Sequence, residues 1–321
     1  MSAAIRLIRS EFLVVLLTGV LLVALAPFTP GLVSTGNFVN VLGNLAPLLV
    51  VAVGLTIVLI SGGIDLSITS TIALTSVVGG MVMNGDSGWL RSQPLAAPFA
   101  ALLMLLLGAL VGAGNGLAVA RLRMPAFMVT LTTMMFLSGL AIWLTKSKNI
   151  SGLPPAFTML GSQLWLALLI AASIGGLAQL MLSRSLFGRW VHAVGHNSQT
   201  ARVSGVPVDG VVISAYVMSG LCAAASSVLY TARLETASPV LGQRILLDVI
   251  GATVIGGTSL FGGRGKVMWT FFGVLFLTLL DNALNLLGLS HFVIMIVKGT
   301  VILLAALLDV GRHSWFVAHD S

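Results

Sequence analysis

The sequence predicts an all-α integral membrane protein of about ten transmembrane helices, with a broken or re-entrant segment and both termini in the cytoplasm. Three observations carry that prediction. Hydrophobic residues make up 57% of the 321-residue chain and charged residues only 8%, against about a quarter charged in ordinary soluble domains. Apolar runs of membrane-spanning length recur along the chain, and the longest polar connection, about 184–209, is too short for a soluble domain. The 36 glycines point to close helix packing and broken helices rather than to loops alone.

Charge and metal-ligating residues narrow the function classes. The net charge of +7 does not indicate nucleic-acid binding, because the basic residues are scattered and lack the clustered face that tracks phosphates. Cys222 is the only cysteine, which excludes an intrachain disulfide or a cysteine-based metal site. His192 and His196 are spaced i, i+4, but Ala193-Val194-Gly195 between them supplies no acid, so no metal is expected. No Ser-His-Asp set or pair of intramembrane carboxylates marks an integral membrane enzyme.

A spanning helix needs about 20 mostly apolar residues. Hydropathy read against glycine and proline breakers gives segments 12–29, 44–60, 67–84, 95–120, 126–145, 164–183, 210–231, 246–257, 267–287 and 290–309, in a single transmembrane domain 1–321. The first follows Arg6 and Arg9 and resembles a signal peptide through Ala24-Leu25-Ala26. Pro27 would then follow the cut, a poor position for a peptidase, so the segment is read as a retained span. An even count threaded from the inside returns the C-terminus to the cytoplasm. The cytoplasmic segments then hold Arg6, Arg9, Arg121, Arg123, Arg184, Arg189, Arg202, Arg264, Lys266 and Arg312, and the outer ones Arg91, Lys146, Lys148, Arg233 and Arg244. Ten against five follows the positive-inside bias.

Between the second and third segments lies Ser61-Gly62-Gly63-Ile64-Asp65-Leu66-Ser67. A charge at the centre of a membrane helix costs about 2.5–3.5 kcal/mol on insertion scales. Glycines loosen the helix and free backbone groups that lipid cannot satisfy. A chain that accepts both penalties is lining a pathway or shaping a protein-buried turn. Asp65 is expected to be essential by bonding freed backbone N–H groups.

Further along, the outer loop 146–163 carries Asn149-Ile150-Ser151, a sequon read as a chance match. The cytoplasmic segment 187–208 contains a short helix from Ser198 to Ser204, capped by Asn197 or Ser198 and stopped by Gly205 and Pro207, of a kind suited to docking a partner. Segment 246–257 is short for a span and suits a re-entrant or tilted piece. Its glycine break, Gly256-Gly257, pairs with Gly62-Gly63 as a weak internal repeat. The following Gly257-to-Lys266 stretch is not a phosphate loop: Leu260 and Val267 occupy the positions of the first glycine and the hydroxyl. ATP hydrolysis, if it drives this protein, belongs to another chain.

Several motifs recur in one order: the 61–67 break, Asn115-Gly116, Met124-Pro125-Ala126-Phe127-Met128-Val129-Thr130-Leu131, Gly188-Arg189 followed by Ala193-Val194-Gly195-His196-Asn197 and Ala201-Arg202 before Gly205, Ile255 to Lys266, and Asn282-Ala283-Leu284-Asn285-Leu286-Leu287-Gly288. Over roughly 40–309 the chain resembles the permease subunits of ribose-type bacterial ABC sugar importers. The resemblance implies a ten-span subunit in a dimeric pore, formed with a second copy or a sister permease in the lipid of the bacterial inner membrane. It also implies a cytoplasmic ABC ATPase that carries ATP and Mg, and a periplasmic sugar-binding protein. Gly195, Asn197, Ala201, Arg202 and Gly205 map by the same resemblance to the coupling helix seated in the ATPase. The nearest alternative is a related permease for a branched-chain amino acid or a sugar-derived signal.

Two departures stand out. Relatives commonly show Gly-x-Gly-x-Glu-Leu-Asp ending at the position of Asp248, whereas this chain has Arg244 and Leu246 in place of the second glycine and the acid. Asp281 stands where ribose-type relatives often have Asn, and Lys298 lies in the last span. Both charges sit roughly 13 Å along their helices from the hairpin between Leu289 and Ser290. Pairing is the natural resolution of two such charges, so an Asp281–Lys298 ion pair is expected, and loss of either residue should reduce assembled protein.

For a sugar path the fitting chemistry is neutral and polar, able to exchange hydroxyl bonds without holding on. Asn115, Thr130, Asn282 and Asn285 supply such groups, Phe127 an apolar contact for a sugar face, and Asp65 the break itself. Each Asn and Thr also fits a structural bond between helices, worth about 0.6–2 kcal/mol.

Overall fold

The computed structural model describes residues 13–85, 88–90 and 93–317, with side chains from 14 through 307. Arg6, Arg9 and Arg91 lie outside the described residues, as does the side chain of Arg312. Among the described residues every regular element is a helix, and the one β-bridge joins Ile150 to Ala237. The elements are α1 (Leu13–Leu25), α2 (Thr35–Ile60), α3 (Ile68–Met83), α4 (Ala96–Ala120), α5 (Ala126–Thr145), α6 (Pro155–Ser162), α7 (Leu164–Arg184), α8 (Leu186–His196), α9 (Ser198–Val203), α10 (Val208–Leu234), α11 (Leu246–Ile255), α12 (Val267–Leu286) and α13 (His291–Val317). Six of them, α2, α4, α5, α7, α10 and α12, are long and apolar enough to cross a membrane. The apolar helices α1, α3, α11 and the His291–Leu307 part of α13 are shorter.

Each expected segment holds a helix; α1 stops at Leu25 rather than 29, two others differ more in extent, and two helices are additions. Helix α2 begins at Thr35 rather than 44, because Ser34 caps it by accepting the Asn37 N–H at 3.3 Å. Helix α13 runs on to Val317. The additions, α6 and α8, are too short to register as apolar runs. Helix α6 starts at Pro155 and buries Phe157 against Val82, Ala96 and Val228. Helix α8 is capped by Ser185, which accepts the Gly188 N–H at 3.1 Å, and buries Gly188, Val191 and Val194 on one face.

Helix α2 forms the centre of the structure. It is apolar on every side, and α7, α10, α11 and α12 pack around it. Its Pro47 has no N–H to give the Gly43 carbonyl one turn back, and separately its own carbonyl accepts the Ser226 hydroxyl of α10 at 2.8 Å.

Helices α4 and α10 meet backbone to backbone. Gly108, Gly112 and Gly116 recur every fourth residue along α4. A Cβ on Gly112 would lie 2.2 Å from the Tyr216 carbonyl oxygen, and one on Gly220 would lie 2.0 Å from that of Gly108. Small residues at this spacing let membrane helices approach closely. Gly112→Val is expected to destabilise the purified protein by about 1–3 kcal/mol or prevent assembly. Gly114→Val, where nothing lies within 4 Å of the added Cβ, should leave the melting temperature nearly unchanged. Equal melting temperatures for the two variants would refute the close contact.

Candidate functional site

The break after α2 is a helix ending of a specific kind. Gly62 adopts φ +82°, its N–H reaches the Leu59 carbonyl at 2.9 Å, and the Gly63 N–H reaches Val58 at 3.0 Å. A left-handed glycine with these two bonds closes a helix while satisfying its last carbonyls. The chain then runs without regular structure until α3 starts at Ile68.

Asp65 fills the gap left by the missing helical turn. It is 1% exposed. Its Oδ1 accepts the Ser67 N–H at 3.0 Å and the Ser67 hydroxyl at 2.6 Å, and its Oδ2 accepts the Ser219 hydroxyl of α10 at 2.7 Å. A buried carboxylate is tolerable only when its lone pairs are met this way. The network continues outward: Asn115 Nδ2 of α4 donates to Ser67 Oγ at 2.8 Å, and Thr133 of α5 donates to Asn115 Oδ1 at 2.7 Å. The neighbouring Ile64 carbonyl accepts Tyr216 of α10 at 3.0 Å, and the Thr130 hydroxyl of α5, shared with the Ala126 carbonyl of its own helix at 2.9 Å, lies 3.3 Å from it. One seven-residue break therefore holds α4, α5 and α10 to the α2–α3 connection.

Of the six pathway candidates, the structure brings Asp65, Asn115 and Thr130 together, all buried and bonded to protein. Phe127 stands apart at the start of α5, 53% exposed. Asn282 exchanges two amide bonds with Asn37 of α2, at 2.8 and 2.9 Å. Asn285 donates to the Asp281 carbonyl at 2.7 Å and to its carboxylate at 3.0 Å. Three of the six therefore form one group, while Phe127, Asn282 and Asn285 each stand apart from it, so the six are not one continuous lining. Ser219, Tyr216 and Thr133 are the members that sequence reasoning missed. Helix α10 carries further hydroxyls at Ser214, Ser226, Ser227, Tyr230 and Thr231, so its sequence did not single out Tyr216 and Ser219.

Lys298 of α13 lies 2.9 Å from Asp281 of α12 and also 2.8 Å from Asp248 of α11. The second carboxylate makes this a three-residue cluster across three helices. Exposure divides it: the Asp281 side chain is 44% exposed, those of Asp248 and Lys298 16% and 14%. Arg244 and Leu246 lie just before Asp248, around the start of α11.

The segment at 187–208 forms α8 and α9, joined by Asn197 alone. Asn197 caps α9 by accepting the Thr200 N–H at 2.9 Å. Ala201 is buried, Arg202 pairs with Asp209, and Gly205 ends the helix at φ +82° with its N–H on the Arg202 carbonyl at 3.1 Å. Val203 projects with 86% exposure, an apolar side chain that this helix holds away from the core.

The break after α11 repeats the ending of α2. Gly257 has φ +83°, its N–H reaches Val254 at 2.8 Å, and the Thr258 N–H reaches Thr253 at 3.0 Å. The loop that follows donates the Gly263 N–H to the Ile60 carbonyl at 2.9 Å. The two breaks paired in the sequence are thus bonded to each other. Elsewhere, a cavity of about 650 Å³ between α4, α7 and α10 is lined by residues such as Leu105, Ile174, Met218 and Cys222, and offers a polar solute nothing to bond. Among the described residues no group of three His, Cys, Asp or Glu side chains is arranged to hold a metal.

Comparison of the sequence with known proteins identifies the family. Residues 37–306 match the family described as branched-chain amino acid transport system / permease component. The ribose import permease protein RbsC of Bacillus subtilis (strain 168) is 37% identical over 90% of this chain and 89% of its own length. Its namesake in Escherichia coli (strain K12) is 35% identical over 94% of each chain. The L-arabinose transport system permease protein AraH of Escherichia coli (strain K12) is 34% identical over 90% of this chain and 87% of its own. No solved structure matches. With the match running through both breaks and the α8–α9 segment, the chain belongs to the permease family that includes the ribose import permeases, the family of ribose-type bacterial ABC importers.

Proposed function

We propose that this chain is the membrane permease of an ATP-driven importer that moves a monosaccharide, a ribose-like pentose or a hexose, across the bacterial inner membrane by alternating access. The observation that carries this reading is the similarity to ribose and arabinose permeases over about nine-tenths of the chain. The chain itself makes and breaks no covalent bonds. ATP and Mg belong to a cytoplasmic ATPase, sugar arrives on a periplasmic binding protein, and a second copy or a sister permease completes the pore. An N-in, C-in threading of ten spans puts 61–63, 187–208 and 257–266 on one side of the membrane, and the contacts among them support it. Helix α11, roughly 15 Å long at 1.5 Å per residue, is shorter than a hydrocarbon core of about 30 Å and completes its crossing with the irregular chain on either side of it.

The geometry suggests how the subunit works. In the conformation described, Asn115 spends its bonds on Ser67 and Thr133, and Thr130 shares its hydroxyl between Ala126 of its own helix and Ile64. Movement of α4 or α5 against the break frees these groups toward the path, where they exchange bonds with sugar hydroxyls. Phe127 then offers an apolar ring to a sugar face. Asp65 keeps the opened backbone satisfied and takes no part in sugar recognition.

The description of the matching family favours a second reading, transport of a branched-chain amino acid. Such a zwitterion needs a partner for its carboxylate and another for its ammonium. Here Asp65 and Lys298 are both engaged by protein groups, which favours an uncharged solute. Co-purification of the cognate binding protein, followed by thermal denaturation across a monosaccharide panel and leucine, separates the two. A pentose or hexose is expected to raise the melting temperature; stabilisation by leucine alone would overturn the sugar assignment.

A further inference from the structure

The geometry points to Gly195 as the positioning residue that holds both membrane breaks together beneath α9, so that a displacement of α9 reaches both at once. This rests on the import reading above and adds the path by which the cytoplasmic helix acts.

The contact begins with an unmet carbonyl. Ile60 ends α2, and its C=O lies beyond the reach of the helix's own N–H groups. Within a membrane protein that oxygen needs a protein partner. The Gly263 N–H supplies it at 2.9 Å, presented by a loop in which Gly262 and Gly263 take φ +89° and +75°. Gly195, in the last turn of α8, lies directly over this bond. A Cβ at position 195 would fall 1.8 Å from the Ile60 oxygen and 2.5 Å from the Gly263 nitrogen. From the other side, a Cβ on Gly262 would stand 2.7 Å from the Gly195 oxygen and 2.9 Å from the Gly62 Cα. Three segments distant in sequence thus meet through backbone alone. The next residue, His196, lays its ring against Gly263, where an added Cβ would fall 2.2 Å from Nδ1.

Continuity makes this junction mechanical. Only Asn197 separates His196 from α9, and α8 is anchored behind by Val191 and Val194 in the core it shares with α2 and α10. Packed backbone without side-chain slack transmits a shift rather than absorbing it. Ile60 lies five residues before Asp65, so a shift at the junction arrives at the carboxylate that ties α10 to the break directly and α4 through Ser67.

The test uses the whole importer in proteoliposomes, with permease, ATPase and binding protein, and labelled D-ribose or whichever panel sugar stabilised the binding protein. The readout is sugar moved per ATP hydrolysed. Gly195→Ala is expected to lower that ratio roughly tenfold while the ATPase still co-purifies. Gly210→Ala, in the first turn of α10 with nothing within 4 Å of the added Cβ, should keep the wild-type ratio. Should Gly195→Ala fail to assemble, His196→Ala decides, since it removes the ring over Gly263 and leaves the backbone intact; roughly a threefold loss is expected. A wild-type ratio in assembled Gly195→Ala or in His196→Ala overturns the junction. A wild-type complex whose ATP hydrolysis ignores loaded binding protein overturns the import reading instead.

Discussion

Replacing Asp65 with alanine is expected to abolish transport and to destabilise the protein by roughly 3–5 kcal/mol. The magnitude follows from counting what the carboxylate satisfies. Its removal strands the Ser67 N–H, the Ser67 hydroxyl and the Ser219 hydroxyl, and each buried orphan costs about 1–3 kcal/mol before relaxation. Ser67 also accepts from Asn115, so the loss spreads to α4. Asp65→Asn is the informative companion. Its amide oxygen can still accept from Ser67, and the Ser219 hydroxyl can rotate to accept from the new amide, so the break should stay folded with a smaller loss. Ser219→Ala should fall between the two, because it leaves one carboxylate oxygen without its donor. Membrane yield, melting temperature in detergent and sugar uptake read the series. An Asp65→Ala protein with wild-type stability and uptake would remove the carboxylate from any account of the break.

Much of this arrangement was legible in the chain and some of it was not, for identifiable reasons. Hydropathy located the long helices because lipid demands a nearly continuous apolar surface, and that demand is written residue by residue. The start of α2 escaped because Thr35 to Gly43 includes Asn37 and Asn40, which dilute the apolar signal, although Ser34 marked the cap. Helices α6 and α8 escaped because eight and eleven residues fall below a spanning window of about 20. At the break, Gly62-Gly63 and Asp65 declared themselves as penalties, and the nearest partner, Ser67, lay two residues away. Asn115 was a candidate from its motif, whereas Thr133, Ser219 and Tyr216 belong to the same network through tertiary packing alone, and no local pattern selects them from the other hydroxyls in the spans. The same holds for the bond between Gly263 and Ile60. The sequence suggested that the two glycine breaks were related, but only the folded chain places one against the other.

Lys298→Gln is expected to produce the second large effect, a destabilisation of about 3–5 kcal/mol that leaves two carboxylates facing each other. The sequence suggested a simple pair in which Asp281 and Lys298 depend equally on each other. Asp248 changes that expectation. With Lys298 held at 2.8 Å from Asp248 and 2.9 Å from Asp281, loss of Asp281 still leaves the ammonium a buried partner. Asp281 is also the most exposed member, and water screens its share of the attraction. Asp281→Asn should therefore cost less than about 1 kcal/mol, and its amide can keep accepting from Asn285. Asp248→Asn should cost more than Asp281→Asn, since it weakens the better-buried contact. The decisive measurement is a double-mutant cycle on melting free energy. Lys298→Gln combined with Asp248→Asn should be less destabilised than the sum of the single variants by at least about 0.5 kcal/mol, because the second change removes a carboxylate the first left unpaired. Additive losses would mean that the 2.8 Å contact contributes nothing to stability. In that case Asp248, Asp281 and Lys298 would be solvated separately, and α11 would be fixed to α12 and α13 by packing such as that of Gly273, where a Cβ would lie 2.0 Å from the Ala252 carbonyl oxygen.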